Sequence, residues 1–255
     1  MHFGIILFPG TNCEHDCLHV VQDVMGHTGR IVWHEETNLS EFDALILPGG
    51  FAHGDYLRTG AIARFSPVMN AVAEFASFGK PVIGICNGFQ ILCEAGLLPG
   101  VLRRNAGQHF VCKNQWLRVE DNRNIFLQLL NAGDRLLLPI RHGEGSYYVD
   151  PATLEEMEVN GQVLLRYCDN NGEVTLGANP NGSVTNIAGV MNRQGNVFGL
   201  MPHPEAASEP ILSGTDGLYI FRGMITPLAP NLATTHDATV TGVGNSMFIG
   251  SDVVA

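Results

Sequence analysis

The run Pro81-Val82-Ile83-Gly84-Ile85 restricts the fold more than any other segment, because it is apolar without alternation. A strand with one face in water shows a polar residue at every second position. This one does not, and it suits a central parallel strand covered on both faces. A helical pattern from about 88 to 95 follows it and stops at Gly96. The same alternation runs through the preceding sequence. FGIILF (3–8) reads as a strand, followed by a helix around 13–28 with apolar Leu18, Val21, Val24 and Met25. RIVWH (30–34) and ALILP (44–48) read as strands. A helix around 60–78 carries Ile62, Phe65, Val68, Met69, Val72 and Phe75 at three- and four-residue spacings. This β-α-β order predicts an α/β fold with a parallel sheet and helices on both faces.

Beyond about residue 110 the pattern changes. FVCKNQWLRVE, RLLLPI, VLLRYC, NIAGVM and VFGLM are short β-like stretches, with turns such as Asn181-Gly182 and Gln194-Gly195 between them. They predict additional antiparallel strands. A last helix is expected around 216–225. No internal repeat and no linker divides the chain, so 1–226 reads as one domain. Residues 227–255, rich in Thr, Gly and Ala, read as an extension of undefined role, either a tail or an extra hairpin.

Acidic residues outnumber basic ones by 25 to 14, and the net charge is −11. Such a chain repels nucleic acid and anionic lipid. No apolar run reaches membrane-spanning length, and the start lacks the basic flank of a signal peptide. A cytoplasmic protein is expected, with no nucleic-acid or membrane partner. The cysteines at 13, 17, 86, 93, 112 and 168 are too sparse and irregular for a disulfide framework. Cys13 and Cys17, four apart, read as small residues on one helix face rather than a metal site, and no metal is expected. Cys93, Cys112 and Cys168 read as buried packing residues.

Only Cys86 has flanks that call for a chemical explanation. Gly84-Ile85-Cys86-Asn87-Gly88 joins the strand at 81–85 to the following helix. A nucleophile on such a tight turn stands exposed in a strained conformation, and glycines on either side relieve the crowding. The helix N-terminus sets backbone N–H groups and a positive dipole end beside the sulfur, which favours thiolate. Leu47-Pro48-Gly49-Gly50 closes another strand, and a glycine turn there can aim an N–H at a developing oxyanion alongside the N–H of Asn87. His203 and Glu205, in Met201-Pro202-His203-Pro204-Glu205, are two apart in extended chain and point the same way. The carboxylate can orient the imidazole, and the imidazole can take the thiol proton. His142-Gly143-Glu144 has the same spacing, but its central glycine aims the pair less rigidly. It is the weaker candidate for the base and a candidate for the pocket wall.

GICNGFQIL (84–92), LPGGFAHGDYLRTGAIARF (47–65), PIRHGEG (139–145), NPNGS (179–183) and GNVFGLMPHPE (195–205) resemble the class I glutamine amidotransferases. Among these they are similar to the glutaminase subunits of phosphoribosylformylglycinamidine synthases, as are FPGTNCEHD near the start and RRNAGQHFVCK (103–113). The resemblance spans roughly residues 1–226. It implies a flavodoxin-like fold with Cys86 as nucleophile, His203 as base and Glu205 as its orienting acid. It further implies an oxyanion hole from the N–H groups of Gly50 and Asn87, with Gln90 helping to hold glutamine. No cofactor is implied for this subunit. Ammonia would pass to a large synthetase subunit that uses ATP and magnesium to convert formylglycinamide ribonucleotide to the amidine in purine biosynthesis, with a small third subunit in the same complex.

The sequence departs from the pattern at Ala52-His53, where Ser-Tyr is expected, at Ala206, where Arg is expected, and at Gly107, where a polar residue is expected. These bear on the pocket rim or the contact with the synthetase. Two other readings compete. A stand-alone cysteine hydrolase or peptidase of related fold can share the elbow, but usually lacks Gln90 and the His-Pro-Glu pair. An inactive sensing subunit would not need an intact Cys, His and Glu set.

Overall fold

The computed structural model describes residues 1–212 and 214–227. Residues 228–255, and with them nearly all of the expected C-terminal extension, lie outside the described residues. Eleven strands and five α-helices are present among those described. The strands are β1 (His2–Leu7), β2 (Thr28–Trp33), β3 (Ala44–Leu47), β4 (Val82–Ile85), β5 (Val101–Arg103), β6 (Val111–Val119), β7 (Arg135–His142), β8 (Ser146–Tyr148), β9 (Val163–Tyr167), β10 (Ile187–Met191) and β11 (Val197–Leu200). The helices are α1 (Glu14–His19), α2 (Pro67–Ser77), α3 (Asn87–Glu94), α4 (Pro151–Val159) and α5 (Leu218–Ile225). Among the described residues no helix is long and apolar enough to cross a membrane.

Nine strands form one sheet in the order β2-β1-β3-β4-β11-β10-β9-β6-β7. The first five are parallel to one another, and from β11 onward each pairing is antiparallel. The 2-1-3-4 start is the doubly wound, flavodoxin-like order. β3, β4 and β11 are buried at every residue, as strands covered on both faces must be. The sheet is therefore mixed, with a mostly parallel core. β5 and β8 pair as a separate antiparallel ribbon.

Two expected helices are shorter than the periodicity suggests. In place of one helix from 60 to 78, Ala63–Phe65 forms a 3₁₀ turn and α2 begins at Pro67. The residue before a proline is pushed to extended backbone, and Ser66 sits at φ −62°, ψ 142°. The proline itself suits the first helical turn, where its missing N–H costs nothing. Phe65 is consequently exposed, not on a core face. The helix expected over 13–28 ends as α1 at His19 and continues only as a π-helical turn, Val20–Val24. Cys13 is the N-cap of α1, buried like Cys17, whose N–H donates to its carbonyl at 3.0 Å. Cys93 and Cys168 are buried as expected, but Cys112 is exposed, because it lies in the unburied first half of β6. α4 and the β5–β8 ribbon were not anticipated. Asp150-Pro151 was the available signal for α4: Asp150 accepts from the N–H groups of Ala152 and Thr153 as its N-cap.

α3 packs directly against the end of β3. A Cβ on Gly88 would lie 1.9 Å from the Leu47 carbonyl oxygen. Both groups are backbone, so neither can rotate away. Gly88→Ala is expected to lower unfolding free energy by about 1–3 kcal/mol or more, the cost of forced overpacking. Denaturant titration against the wild type checks this, and an unchanged midpoint would contradict the packing.

Candidate active site

The parallel strands deliver their loops to one end of the sheet, the end where ligands gather in open α/β folds. The chain after β1 supplies Asn12 and Cys13, that after β3 supplies Gly50, that after β4 supplies Cys86, and that after β11 supplies His203. All line one cavity of about 410 Å³. Gln90, on the first turn of α3, lines it too, as do Arg141, His142 and Glu144 from the end of β7 and the following loop.

Cys86 holds φ 50° and ψ −103°, a left-handed conformation that non-glycine residues seldom adopt. Its N–H donates to Leu200 at 2.8 Å and its carbonyl accepts from Gln90 at 3.1 Å, so both neighbouring elements fix the turn. Strain of this kind costs about 1–3 kcal/mol and persists only where surrounding structure enforces it. The thiol donates to the Arg141 carbonyl at 3.7 Å.

His203 and Glu205 are both buried, and His203 Nδ1 donates to Glu205 Oε1 at 2.5 Å. The His203 N–H donates to the Pro139 carbonyl at 2.8 Å, anchoring the loop to β7. Burial by itself would lower the His203 pKa, but the Glu205 carboxylate and then the nearby Cys86 and Cys13 thiols reverse this and hold it well above the ordinary value. Burial would raise Glu205, yet His203, and more weakly Arg141, leave it below the usual carboxylate range. The carboxylate thus raises the proton affinity of the imidazole that it orients.

Asn87, the first residue of α3, has an N–H that the helix does not use. Its side-chain oxygen accepts from the Ala52 N–H at 3.0 Å, and its amide donates to Gln90 Oε1 at 2.9 Å and Asp55 Oδ1 at 3.3 Å. Gln90 donates onward to the Glu144 carbonyl at 2.6 Å. Gln90 is therefore a strut between α3 and the loop after β7 as well as a wall of the cavity. Gly50 packs where a Cβ would stand 2.6 Å from Thr11 Cα.

His142 also lines the cavity, with its ring held by other partners: Nδ1 lies 3.1 Å from Asn105 Oδ1, and Asn181 donates towards Nε2 at 3.5 Å. Burial, aided by the His203 charge, lowers its pKa to about 4, so it stays neutral. Its loop partner Glu144 offers the backbone carbonyl to Gln90 and turns its carboxylate towards Arg104 at 3.5 Å. No His–carboxylate bond like that of His203 forms there.

Among the cavity residues that the sequence does not single out are Cys13, Asp55 and Arg141. Cys13 was assigned to helix packing, yet it sits beside His203, and a Cβ on Gly49 would lie 3.3 Å from Cys13 Sγ and 2.7 Å from His203 Cε1. Asp55 lies in the GDYLR segment, and Arg141 in PIRHGEG. Burial, with the charge of Glu144, raises Asp55 to about 6. None of Ala52, His53, Gly107 and Ala206 is among the residues lining the cavity.

Residues 1–214 match the family described as CobB/CobQ-like glutamine amidotransferase domain. Phosphoribosylformylglycinamidine synthase subunit PurQ of Acaryochloris marina is 54% identical over 228 residues, 89% of this chain and 97% of that one. PurQ of Aquifex aeolicus is 54% identical over 225 residues, 88% of this chain and 99% of that one. A chain of the PurLQS structure from Thermotoga maritima superposes with a TM-score of 0.78 at 39% identity, covering 88% of this chain and 97% of that one. The relatives do not favour the reading as a stand-alone cysteine hydrolase. Their extent and agreement show that the chain belongs to the CobB/CobQ-like glutamine amidotransferases, in the group of PurQ subunits of phosphoribosylformylglycinamidine synthase.

Proposed function

We propose that the chain carries out the glutamine hydrolysis of its family through a thioester on Cys86 and hands the ammonia to a synthetase subunit. The observation that carries this reading is the buried His203–Glu205 bond beside a cysteine on a strained elbow. His203 takes the Cys86 proton and the sulfur attacks the side-chain amide carbon of glutamine. The tetrahedral oxyanion is met by the N–H groups of Gly50 and Asn87. An imidazole whose pKa is held high keeps the proton until the leaving nitrogen needs it. His203 then protonates that nitrogen, ammonia departs and the thioester remains. Water, deprotonated by His203, completes hydrolysis to glutamate and frees the thiol. Glu205 keeps Nδ1 protonated and the ring aimed throughout.

Gln90 forms the cavity wall along the substrate, and Asp55, across the same cavity, meets its α-ammonium group. The ammonia serves a large synthetase subunit that uses ATP and magnesium to turn formylglycinamide ribonucleotide into the amidine, in a cytoplasmic complex with a small third subunit. The likeness to a chain of PurLQS from Thermotoga maritima supports such an assembly. Residues 1–226 make up the amidotransferase unit in this reading.

Three measurements test it. Cys86→Ala should abolish glutamine-dependent amidine synthesis by the reconstituted complex while ammonium salt restores it; failure of ammonium, with an active synthetase, would remove the donor role. His203→Ala should lower glutaminase turnover by about 10²–10⁴-fold, the usual worth of a general base. His142→Ala should leave readily measurable activity, and the reverse ranking would exchange the two histidines. For Asp55 the sign follows from its raised pKa: the carboxylate is charged above about 6 and neutral below. Glutamine kcat/KM should therefore fall as pH drops through that value, and Asp55→Asn should lower it at neutral pH and remove that limb of the profile.

A further inference from the structure

Cys13 takes no part in the chemistry above, yet it is buried against the residues that do. The ligand atoms of Cys13, His203 and Glu205 all lie within 4.8 Å of one another, and all three side chains are buried. Among the described residues Glu205 Oε2 has no hydrogen-bond partner, while Oε1 is bonded to His203 Nδ1 at 2.5 Å. Gly49 is what lets the sulfur and the ring stand together, since a side chain there would strike His203 Cε1. Cys13 and His203 also line the cavity, so an ion has a path from solvent.

We propose that Cys13, His203 and Glu205 form a binding site for a soft divalent cation of the zinc type, and that the ion shuts off glutamine hydrolysis. One thiolate, one imidazole and one carboxylate make a zinc donor set, with a fourth position left to water. Magnesium and calcium, which take oxygen ligands, do not suit a sulfur-containing site. Zinc bonds of about 2.0–2.3 Å place donors about 3–4 Å apart, so the ion takes the place of the proton between His203 Nδ1 and Glu205 Oε1 and that pair opens from 2.5 Å. Three features oppose binding, the first being loss of the short His203–Glu205 hydrogen bond. The Cys13 thiol, raised by burial, must release its proton to solvent, so affinity rises with pH. The Arg141 guanidinium, 3.5 Å from Glu205 Oε1, must give up that contact, and its side chain, 38% exposed, has room to turn outward. Once bound, the ion occupies the groups that would take the Cys86 proton. This inhibition rests on the proposed role of His203, whereas binding itself does not.

Cobalt(II) as a spectroscopic substitute for zinc separates the two. The purified full chain should take up one equivalent and develop a near-ultraviolet thiolate-to-cobalt charge-transfer band that zinc displaces. The band should persist in Cys86→Ala and vanish in Cys13→Ala. Cys13→Ser keeps the side chain's shape but offers no sulfur, and should also lack the band; circular dichroism verifies that both variants fold. In the reconstituted complex, Cys13→Ala should keep most of its glutaminase activity and need at least tenfold more zinc for half-inhibition. A band lost in Cys86→Ala would put the ion on the nucleophile, and a band retained in folded Cys13 variants, or absent from the wild type, would overturn the site. Normal metal binding without inhibition would leave the site standing and count against His203 as the base.

Discussion

The contact between Gly88 and the Leu47 carbonyl sets the position of everything else in the site. With no side chain between them, α3 lies close enough to β3 for the turn at Cys86 to be tight. The turn then needs a left-handed cysteine, and the hydrogen bonds to Leu200 and Gln90 hold it there. Because β3 and β11 flank β4 on either side, the loops carrying Gly50 and His203 arrive beside the sulfur without long excursions. The geometry of the proposed site is a consequence of backbone packing between a helix and a strand. Rigid elements hold a site more accurately than loops alone.

Electrostatics then sorts two histidines that share one cavity. His203 has a carboxylate at 2.5 Å that raises its affinity for a proton, whereas His142 has amide partners and is held neutral. The positive charge of the first helps to keep the second uncharged. A buried imidazole is costly to charge unless an anion stands next to it, and only one of the two has that anion. The His-x-Glu spacing was the same in both segments. What differs is that Glu205 turns inward, while Glu144 gives its carbonyl to Gln90 and its carboxylate to Arg104.

The parallel half of the fold was legible because its strands are continuous apolar runs, and the candidates for nucleophile and base were legible because they end those runs. Helix limits were less so. Ile62 and Phe65 fit a helical period, but Pro67 makes Ser66 extended and restarts the helix there. Periodicity cannot register that break, although the proline itself could have. Cys13 was misread for a different reason. Its neighbour in sequence, Cys17, suggested a shared helix face, whereas its partner in space is His203, 190 residues away. No local pattern encodes such a distance, and only the parallel order of β1, β3, β4 and β11 brings the two together.

Among the described residues β7 is the last strand of the sheet, paired with β6. Even so, its Pro139 carbonyl anchors His203 and its Arg141 carbonyl receives the Cys86 thiol. The strand at the margin therefore closes a site whose other walls come from the middle. Edge segments open at lower free energy than a buried core, in local excursions that leave the rest folded. Each such excursion loosens the imidazole and uncovers the sulfur while the parallel strands stay intact. Amide protons along this margin are therefore expected to exchange sooner than those of β3, β4 and β11.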